Sequence, residues 1–334
     1  VEEGVEQLGF SIIIPVKAIN DYIRESVPIT LAVDYPEFEI IILPNDYPED
    51  PLEPALQDPR VRIIPSGRVS PAVKRDLGAT QSRYPLLAFI DDDAYPSGNW
   101  LKEAARYFAR ADIAAIGGPA ITPPKSNVRE KASGLFYETI TGGGGMAFRY
   151  RPAEREFLVD DFPTVNLLVR KSAFDAIGGF DSAFWPGEDT KFCHDLVKAG
   201  FKILYVPSVV VWHHRRQVFR GHLRQIAGYG RHRGYFARIL PFTSRRPIYF
   251  APSLFVMGHL ALIGLSFVDS FFFASWMILT GIYLFLVAID VVARTRDIGL
   301  FVLTFFVIPV SHVTYGIMFM RGYFSQRKFE SQLR

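Results

Sequence analysis

The sequence predicts an α/β fold, a mainly parallel sheet flanked by helices, followed by interfacial helices and C-terminal membrane-crossing helices. Three observations predict it. Short β-branched runs alternate with helix-length segments as far as residue 214. One apolar run, Leu86-Leu87-Ala88-Phe89-Ile90, ends directly in Asp91-Asp92-Asp93 and the turn-like Ala94-Tyr95-Pro96-Ser97-Gly98. Beyond residue 247, Ile248 to Val268, Ser270 to Ile289 and Ile298 to Met320 contain no Asp, Glu, Lys or Arg.

The strands come first. Phe10 to Val16 (FSIIIPV) and Glu37 to Leu43 (EFEIIIL) are β-branched runs with a helix-length segment between them. Val61 to Pro65 (VRIIP) and Leu86 to Ile90 supply two more, separated by the Pro-started helix Pro71 to Ser82 (PAVKRDLGATQS). Strand–helix alternation implies right-handed crossovers and a parallel sheet whose carboxyl edge gathers Pro15 to Ala18, Asn45, Asp46 and the acidic triplet. Trp100 to Arg110 then reads as a helix and Ile113 to Gly117 as a strand. Helical Glu130 to Tyr137 gives way at Gly142-Gly143-Gly144-Gly145 to a loop reaching Pro163, either a flexible connector or the mobile gate that a substrate site requires. Thr164 to Arg170 returns as a strand, Lys171 to Ile177 as a helix, and Gly178-Gly179 as a turn. Glu188-Asp189 opens a helix through Lys198, and Ile203 to Trp212 is a strand ending in His213-His214-Arg215-Arg216.

The chemistry follows from what sits at these ends. Three carboxylates at a strand end repel one another unless a cation lies among them, and oxygen ligands suit Mg²⁺ or Mn²⁺, which in turn hold a diphosphate. A solvated acidic turn is the plain alternative. Glu188 and Asp189 sit where the helix dipole favours ionised carboxylates, which fits simple capping or a catalytic pair. The His-His-Arg-Arg cluster suits a metal or phosphate oxygens. Lys74 and Arg75 face the same edge, either toward a diphosphate or as a solvated helix face.

Composition removes several classes. The chain has 334 residues, a formal net charge of +3 and one cysteine, Cys193, so it has no intramolecular disulfide framework and no cysteine-rich metal site. That charge gives no reason to invoke nucleic acid. Arg215 to Arg246 is rich in Arg and His interleaved with Phe219, Leu223, Ile226, Tyr229, Tyr235, Phe236 and Ile239, which suits an interfacial helix against anionic headgroups.

Each charge-free segment has about the 20 residues that cross a bilayer core as a helix. The expected organisation is a catalytic domain over 1–214, an interfacial segment over 215–247, about three spans within 248–320 and a basic tail over 321–334. Val1-Glu2-Glu3 shows no signal-like apolar stretch. Within the spans, His259, His312 and Asp290 are expected at helix ends or in helix-to-helix hydrogen bonds, and Pro309 is placed to break the third segment. Arg245, Arg246, Arg294 and Arg296 argue for the cytoplasmic side, although three spans would then put Arg321, Arg327, Lys328 and Arg334 on the far side, against the same rule. The expected location is the plasma membrane, multi-pass, with the catalytic portion facing the cytoplasm.

The order of SIIIPVKAIN, YPEFEIIIL, SPAVKRDLGA, LAFIDDDAYPSGNWL, TVNLLVRKSAF with IGGFD, and WPGEDTKFCHDLVKAGFKILYVPSVVVWHH resembles the family-2 inverting glycosyltransferases of the GT-A fold, from about Phe10 to His214. The resemblance implies that Asp91 and Asp93 are the D-x-D aspartates holding a divalent cation (Mg²⁺ or Mn²⁺) on a nucleotide-sugar diphosphate, with Asp92 in the tolerated middle position. It implies Asp189 as general base, with Glu188 beside it. Pro15, Val16, Asn45, Asp46, Lys74, Arg75, Asp91 and Asp92 are then the expected donor contacts, and Asn166, Trp185, Gly187 and Glu188 the expected acceptor contacts. His213, His214 and Arg215 are expected beside the metal or diphosphate. Pro44-Asn45-Asp46 departs from the family's aspartate pair after the second strand, so a UDP-sugar donor rests on little. Gln225 to Arg233 (QIAGYGRHR) is distantly similar to the Q-x-x-R-W element of processive relatives but lacks its Trp, which argues against polymer synthesis. The implied reaction transfers a sugar to a lipid-linked or other membrane-associated acceptor. Its competitors are a processive polysaccharide synthase, a metal-free glycosidase using Asp93 and Asp189, and a non-catalytic sugar-nucleotide-binding subunit.

Overall fold

The computed structural model describes residues 8–325. In chain order it runs β1 (Phe10–Pro15), α1 (Asp21–Leu31), β2 (Phe38–Leu43), β3 (Val61–Ile63), α2 (Pro71–Gln81), β4 (Leu86–Ile90), β5 (Ala94–Pro96), α3 (Trp100–Phe108), β6 (Ile113–Gly117) and β7 (Ala120–Ile121). It continues through α4 (Val128–Glu138), α5 (Ile140–Gly143), β8 (Phe157–Val159), β9 (Asn166–Arg170), α6 (Lys171–Ala176), α7 (Glu188–Lys198), β10 (Lys202–Tyr205) and β11 (Val211–His213). The last elements are α8 (Arg220–Ile239), α9 (Pro241–Ser244), α10 (Pro247–Leu265), α11 (Ser270–Val292) and α12 (Ile298–Tyr323). These elements form two units, residues 8–121 with 151–213, and residues 122–150 with 214–325.

The first unit is built on an eight-stranded sheet ordered β3-β2-β1-β4-β9-β6-β10-β8. Its β-branched runs are buried along their whole length in β1, β2 and β4, as strands covered on both faces must be. β1 pairs parallel with β2 and β4, β2 with β3, and β6 with β10. β9 runs antiparallel between β4 and β6, and β8 closes the edge antiparallel to β10. Parallel pairing carries Pro15, Leu43 and Ile90 to one edge, so the triplet after Ile90 emerges there. Ile12, Ile14, Ile40, Ile42 and Ile90 form a core with Ile23 and Val27 of α1 and Trp100, Leu101 and Phe108 of α3.

The stretch Ile203 to Trp212, expected as one strand, is two. Pro207 offers no N–H, and Val209 N donates back to Val206 O at 3.2 Å, which turns the chain out of the main sheet. β11 then joins a separate three-stranded sheet, β5-β11-β7. It pairs antiparallel with β5 in a register that sets His213 opposite Ala94, the residue following the triplet.

The second unit holds the apolar helices. α10, α11 and α12 are each long and apolar enough to cross a membrane, and their large side chains, such as Leu254, Leu260, Phe271 and Phe285, are mostly exposed. Three such helices give the chain a membrane-associating region. Pro309 does not break the third segment, because α12 runs through it as one helix. α8 lays one face on α12 so closely that a side chain at Gly234 would collide with the carbonyl oxygen of Phe319.

The glycine run is not the open loop the sequence suggests. Thr139 Oγ1 accepts from Gly142 N at 3.0 Å and caps α5, and Gly144 to Arg149 continue as a 3₁₀ turn. The segment is also fastened to the apolar helices. Asp290 Oδ2 accepts from Thr141 N at 2.7 Å and Thr141 Oγ1 at 2.8 Å, and His312 Nε2 donates to Thr141 O at 2.8 Å. Tyr283 OH donates to His312 Nδ1 at 2.8 Å, and His259 Nδ1 donates to Phe255 O at 2.9 Å, so these polar groups do serve hydrogen bonds within and between helices. Of the basic tail, only Arg321 lies among the described residues; Arg327, Lys328 and Arg334 fall outside them.

Candidate active site

The triplet leaves β4 in a turn closed by Ala94 N donating to Asp91 O at 3.1 Å. The turn separates its three carboxylates. Asp91 and Asp93 point toward His213, and one donor atom from each of the three lies within 4.8 Å of the others. His213 Nε2 stands 3.1 Å from Asp93 Oδ1. Asp92 turns the other way, accepting from Asn20 Nδ2 at 2.7 Å while Asn20 Oδ1 caps α1 by accepting from Ile23 N at 2.9 Å. Burial, with the charges of Asp93 and Asp91, raises the Asp92 carboxyl above its ordinary value.

Two carboxylates and an imidazole nitrogen converging at one point suit Mn²⁺ or Mg²⁺ in chemistry. The β5–β11 register explains why His213, far away in sequence, completes the set. His214 and Arg215 belong to the second unit. Arg215, expected at a diphosphate, is instead buried with its guanidinium over the rings of Tyr137 at 5.9 Å and Tyr150 at 5.0 Å, where cation–π attraction holds it.

The second acid site begins α7. Gly187 is its buried N-cap residue, and the partly exposed Trp185 precedes it. Burial pushes the Asp189 carboxyl up to about 7; the charges of Glu188 and Asp161 add to this, while the Thr190 N–H and Arg75 oppose it. Thr190 N donates to Asp189 Oδ1 at 2.7 Å. Asp161 is a residue the sequence reading missed. It is buried and accepts from Thr190 Oγ1 at 3.1 Å. The signal was an acid pair, Asp160-Asp161, in a stretch read only as loop.

Arg75 links the two sites. Its buried guanidinium donates from Nη2 to Asp91 Oδ1 at 2.9 Å and from Nη1 to Glu188 Oε1 at 2.8 Å. Lys74 is buried too, so neither residue forms a solvated helix face. Lys74 Nζ donates to Val16 O at 2.6 Å, Leu43 O at 3.1 Å and Asn45 Oδ1 at 2.7 Å, tying together the ends of β1 and β2. With all three donors used this way, Lys74 braces the carboxyl edge of β1 and β2. Burial lowers its pKa to about 8, opposed by the charge of Asp46. Pro15 and Val16 are buried at the same edge, Asn45 is partly buried and Asp46 is exposed.

Asn166, expected at the acceptor, is fully buried. Its Oδ1 accepts from Trp100 Nε1 at 2.9 Å, and its Nδ2 donates to Val209 O at 2.7 Å and Pro119 O at 3.3 Å. The amide is consumed in holding β9 to α3 and the turn before β11.

Known proteins resemble the chain in sequence and in fold. A pre-mycofactocin glycosyltransferase of Mycobacterium tuberculosis is 28% identical over 190 residues, which cover 57% of this chain and 38% of the relative. The chain therefore spans well under half the length of that curated relative. An N-acetylglucosaminyl-diphospho-decaprenol L-rhamnosyltransferase of the same organism is 29% identical over 224 residues, 56% of this chain and 69% of the relative. Among solved structures, a mannosyltransferase from Pyrobaculum calidifontis in complex with GDP-Man and Mn²⁺ superposes with a TM-score of 0.62 at 15% identity, covering 96% of this chain and 88% of the other. That likeness shows the fold, the GT-A fold expected from the motifs. The family described as "Glycosyltransferase like family 2" matches residues 7–228, well over half of the chain, so the chain belongs to that family.

Proposed function

We propose that this chain is an inverting, divalent-cation-dependent glycosyltransferase that moves a sugar from a nucleotide diphosphate sugar to a lipid-linked acceptor. The observation that carries the reading is a pair of acid sites joined by one arginine: Asp91, Asp93 and His213 converging on a point, and Asp189 held near neutral pKa at the start of α7. Asp91, Asp93 and His213 would hold the cation, which when bound supplies positive charge to a departing nucleoside diphosphate.

The protein's own part is proton transfer and placement. Asp189 takes the proton of the acceptor hydroxyl as its oxygen attacks the anomeric carbon from the face opposite the diphosphate. The C–O bond to the diphosphate breaks as the new one forms, and one displacement inverts the configuration. A carboxyl with a pKa of about 7 is both ionised in part at neutral pH and basic enough to accept that proton. The Thr190 N–H fixes Oδ1 and orients the group. Glu188, Trp185 and Gly187 line the start of α7 and are the proposed acceptor contacts. Asn45 and Asp46 are the proposed contacts to the nucleoside.

Three apolar helices support a membrane-held acceptor, and the rhamnosyltransferase relative named above carries a decaprenol-linked substrate in its name. We place the transfer at the cytoplasmic face of the plasma membrane. UDP-sugars are the first donors to test, with GDP-sugars as the comparison. Purified full chain in detergent should transfer sugar to a polyprenyl-phosphate-linked acceptor when Mn²⁺ or Mg²⁺ is present and stop when the cation is chelated. Undiminished transfer in chelator would refute the cation assignment. Release of sugar from a simple glycoside without nucleotide would favour the glycosidase instead.

A further inference from the structure

Arg75 lies in the first half of α2, with a side chain only 5% exposed. Its two terminal nitrogens point to different carboxylates, Asp91 Oδ1 at 2.9 Å and Glu188 Oε1 at 2.8 Å, the latter 113 positions away in sequence. Glu188 is 8% exposed and Asp91 is 34% exposed, so one prong ends in the interior and the other at the mouth of the cation site. Among the described residues Nε is buried without a hydrogen-bond partner, and the guanidinium carbon sits 5.7 Å from the Phe180 ring centre. Among the described residues, the hydrogen bonds that fix the head go to these two carboxylates. The next residue strengthens the same link: Asp76 Oδ1 accepts from Phe180 N at 2.9 Å, tying α2 to the segment that leads into α7.

Resting on the transferase reading above, we propose that Arg75 is a positioning residue, a buried two-pronged strut that holds Asp91 on the donor side against Glu188, and so Asp189, on the base side. A planar guanidinium bonds two carboxylates in set directions, whereas one ammonium does not hold both at the same span. In this role Arg75 acts through the two carboxylates and not on the diphosphate. It sets where the proton acceptor stands relative to the donor, and errors of placement fall on turnover more than on binding.

The test separates a strut from a diphosphate contact. Calorimetry of the full chain with UDP or GDP in Mn²⁺ gives the nucleotide Kd, and transfer kinetics give kcat and KM. For Arg75→Lys the strut predicts a Kd within about threefold of wild type and a kcat lower by about a hundredfold, with no rescue from the retained charge. A diphosphate contact predicts the reverse: Arg75→Met raises Kd as much as it lowers kcat/KM, and Arg75→Lys, which keeps the charge, largely restores both; that result would overturn the proposal. Should Arg75→Lys not fold, Arg75→Met with Glu188→Gln removes the charged pair together and carries the same measurement. The strut is also testable apart from catalysis. Melting of Arg75→Lys, Glu188→Gln and their double variant must be non-additive, and additive shifts overturn it. If wild type neither binds nucleotide nor transfers sugar, the transferase reading fails, while the melting cycle still decides the strut.

Discussion

Asp189→Asn should give a protein that is more stable and nearly inactive. The amide keeps the shape of the carboxylate, and its Oδ1 still accepts from Thr190 N, which donates at 2.7 Å in the wild type. It has no basicity, so transfer should fall by about 10²–10⁴-fold while Mn²⁺-dependent nucleotide binding stays. Stability moves the other way. Burial and the charges of Glu188 and Asp161 raise the carboxyl from 3.8 to about 7. A folded-state pKa above the unfolded one means that the folded protein keeps a proton which the unfolded chain releases, so Asp189 destabilises increasingly between pH 3.8 and about 7 and fully above that. The ceiling of this effect is about 4 kcal/mol, reduced by whatever solvent relaxation the site permits. Melting of full-length wild type and variant in detergent should therefore coincide near about pH 4 and separate, variant above wild type, toward about pH 8. The wild-type rate should rise with pH around a midpoint of about 7. An Asn variant that transfers at the wild-type rate would rule Asp189 out as the base, and one that melts below wild type at alkaline pH would rule out its raised pKa.

Further outcomes follow from the neighbouring groups. His213→Ala and Asp93→Asn each remove one donor of the cation site, and titration should show Mn²⁺ affinity reduced at least about tenfold with the fold intact by circular dichroism. Lys74→Met strips the donor from Val16 O, Leu43 O and Asn45 Oδ1 and should cost about 1–3 kcal/mol of stability in denaturant unfolding. Because burial lowers Lys74 to about 8 from 10.5, the folded state sheds its proton first, and the wild type should gain stability as pH rises through that window; the Met variant should lack that slope. Asn166→Leu leaves Trp100 Nε1 and Val209 O unpaired in the core and should lower the melting temperature by several degrees while leaving nucleotide Kd unchanged in the folded fraction.

The parallel sheet and the apolar helices were legible because both rest on local pattern. LLAFI is apolar throughout, and FSIIIP and FEIIIL are so apart from Ser11 and Glu39; β-branched runs this short between turn signals fit strands covered on both faces. The acidic triplet was legible for the same reason, since it ends such a run. What failed depended on distant partners. Asn166 looked free to bind a ligand because its three hydrogen-bond partners come from α3, residue 119 and residue 209. Lys74 and Arg75 suit either a diphosphate or a solvated helix face by sequence, and the folded carboxyl edge excludes the second by burying both. The glycine run read as an open loop, connector or gate, because Asp290 and His312, which clasp Thr141, lie on helices far along the chain. Turning of the chain at Pro207, which divides β10 from β11, was written in the sequence, and the apolar residues on either side masked it.

In the proposed reaction Asp91, Asp93 and His213 hold a cation for a sugar donor while Asp189 serves the acceptor. Its most direct test is one assay on the purified full chain, transfer from a nucleotide sugar to a polyprenyl-linked acceptor, with anomeric configuration of the product read by NMR and Mn²⁺ varied. Transfer should depend on the cation and invert the anomeric configuration, and should be lost in Asp93→Asn through weakened Mn²⁺ binding and in Asp189→Asn with Mn²⁺ binding preserved. Retention of configuration, or cation-independent transfer, would contradict it.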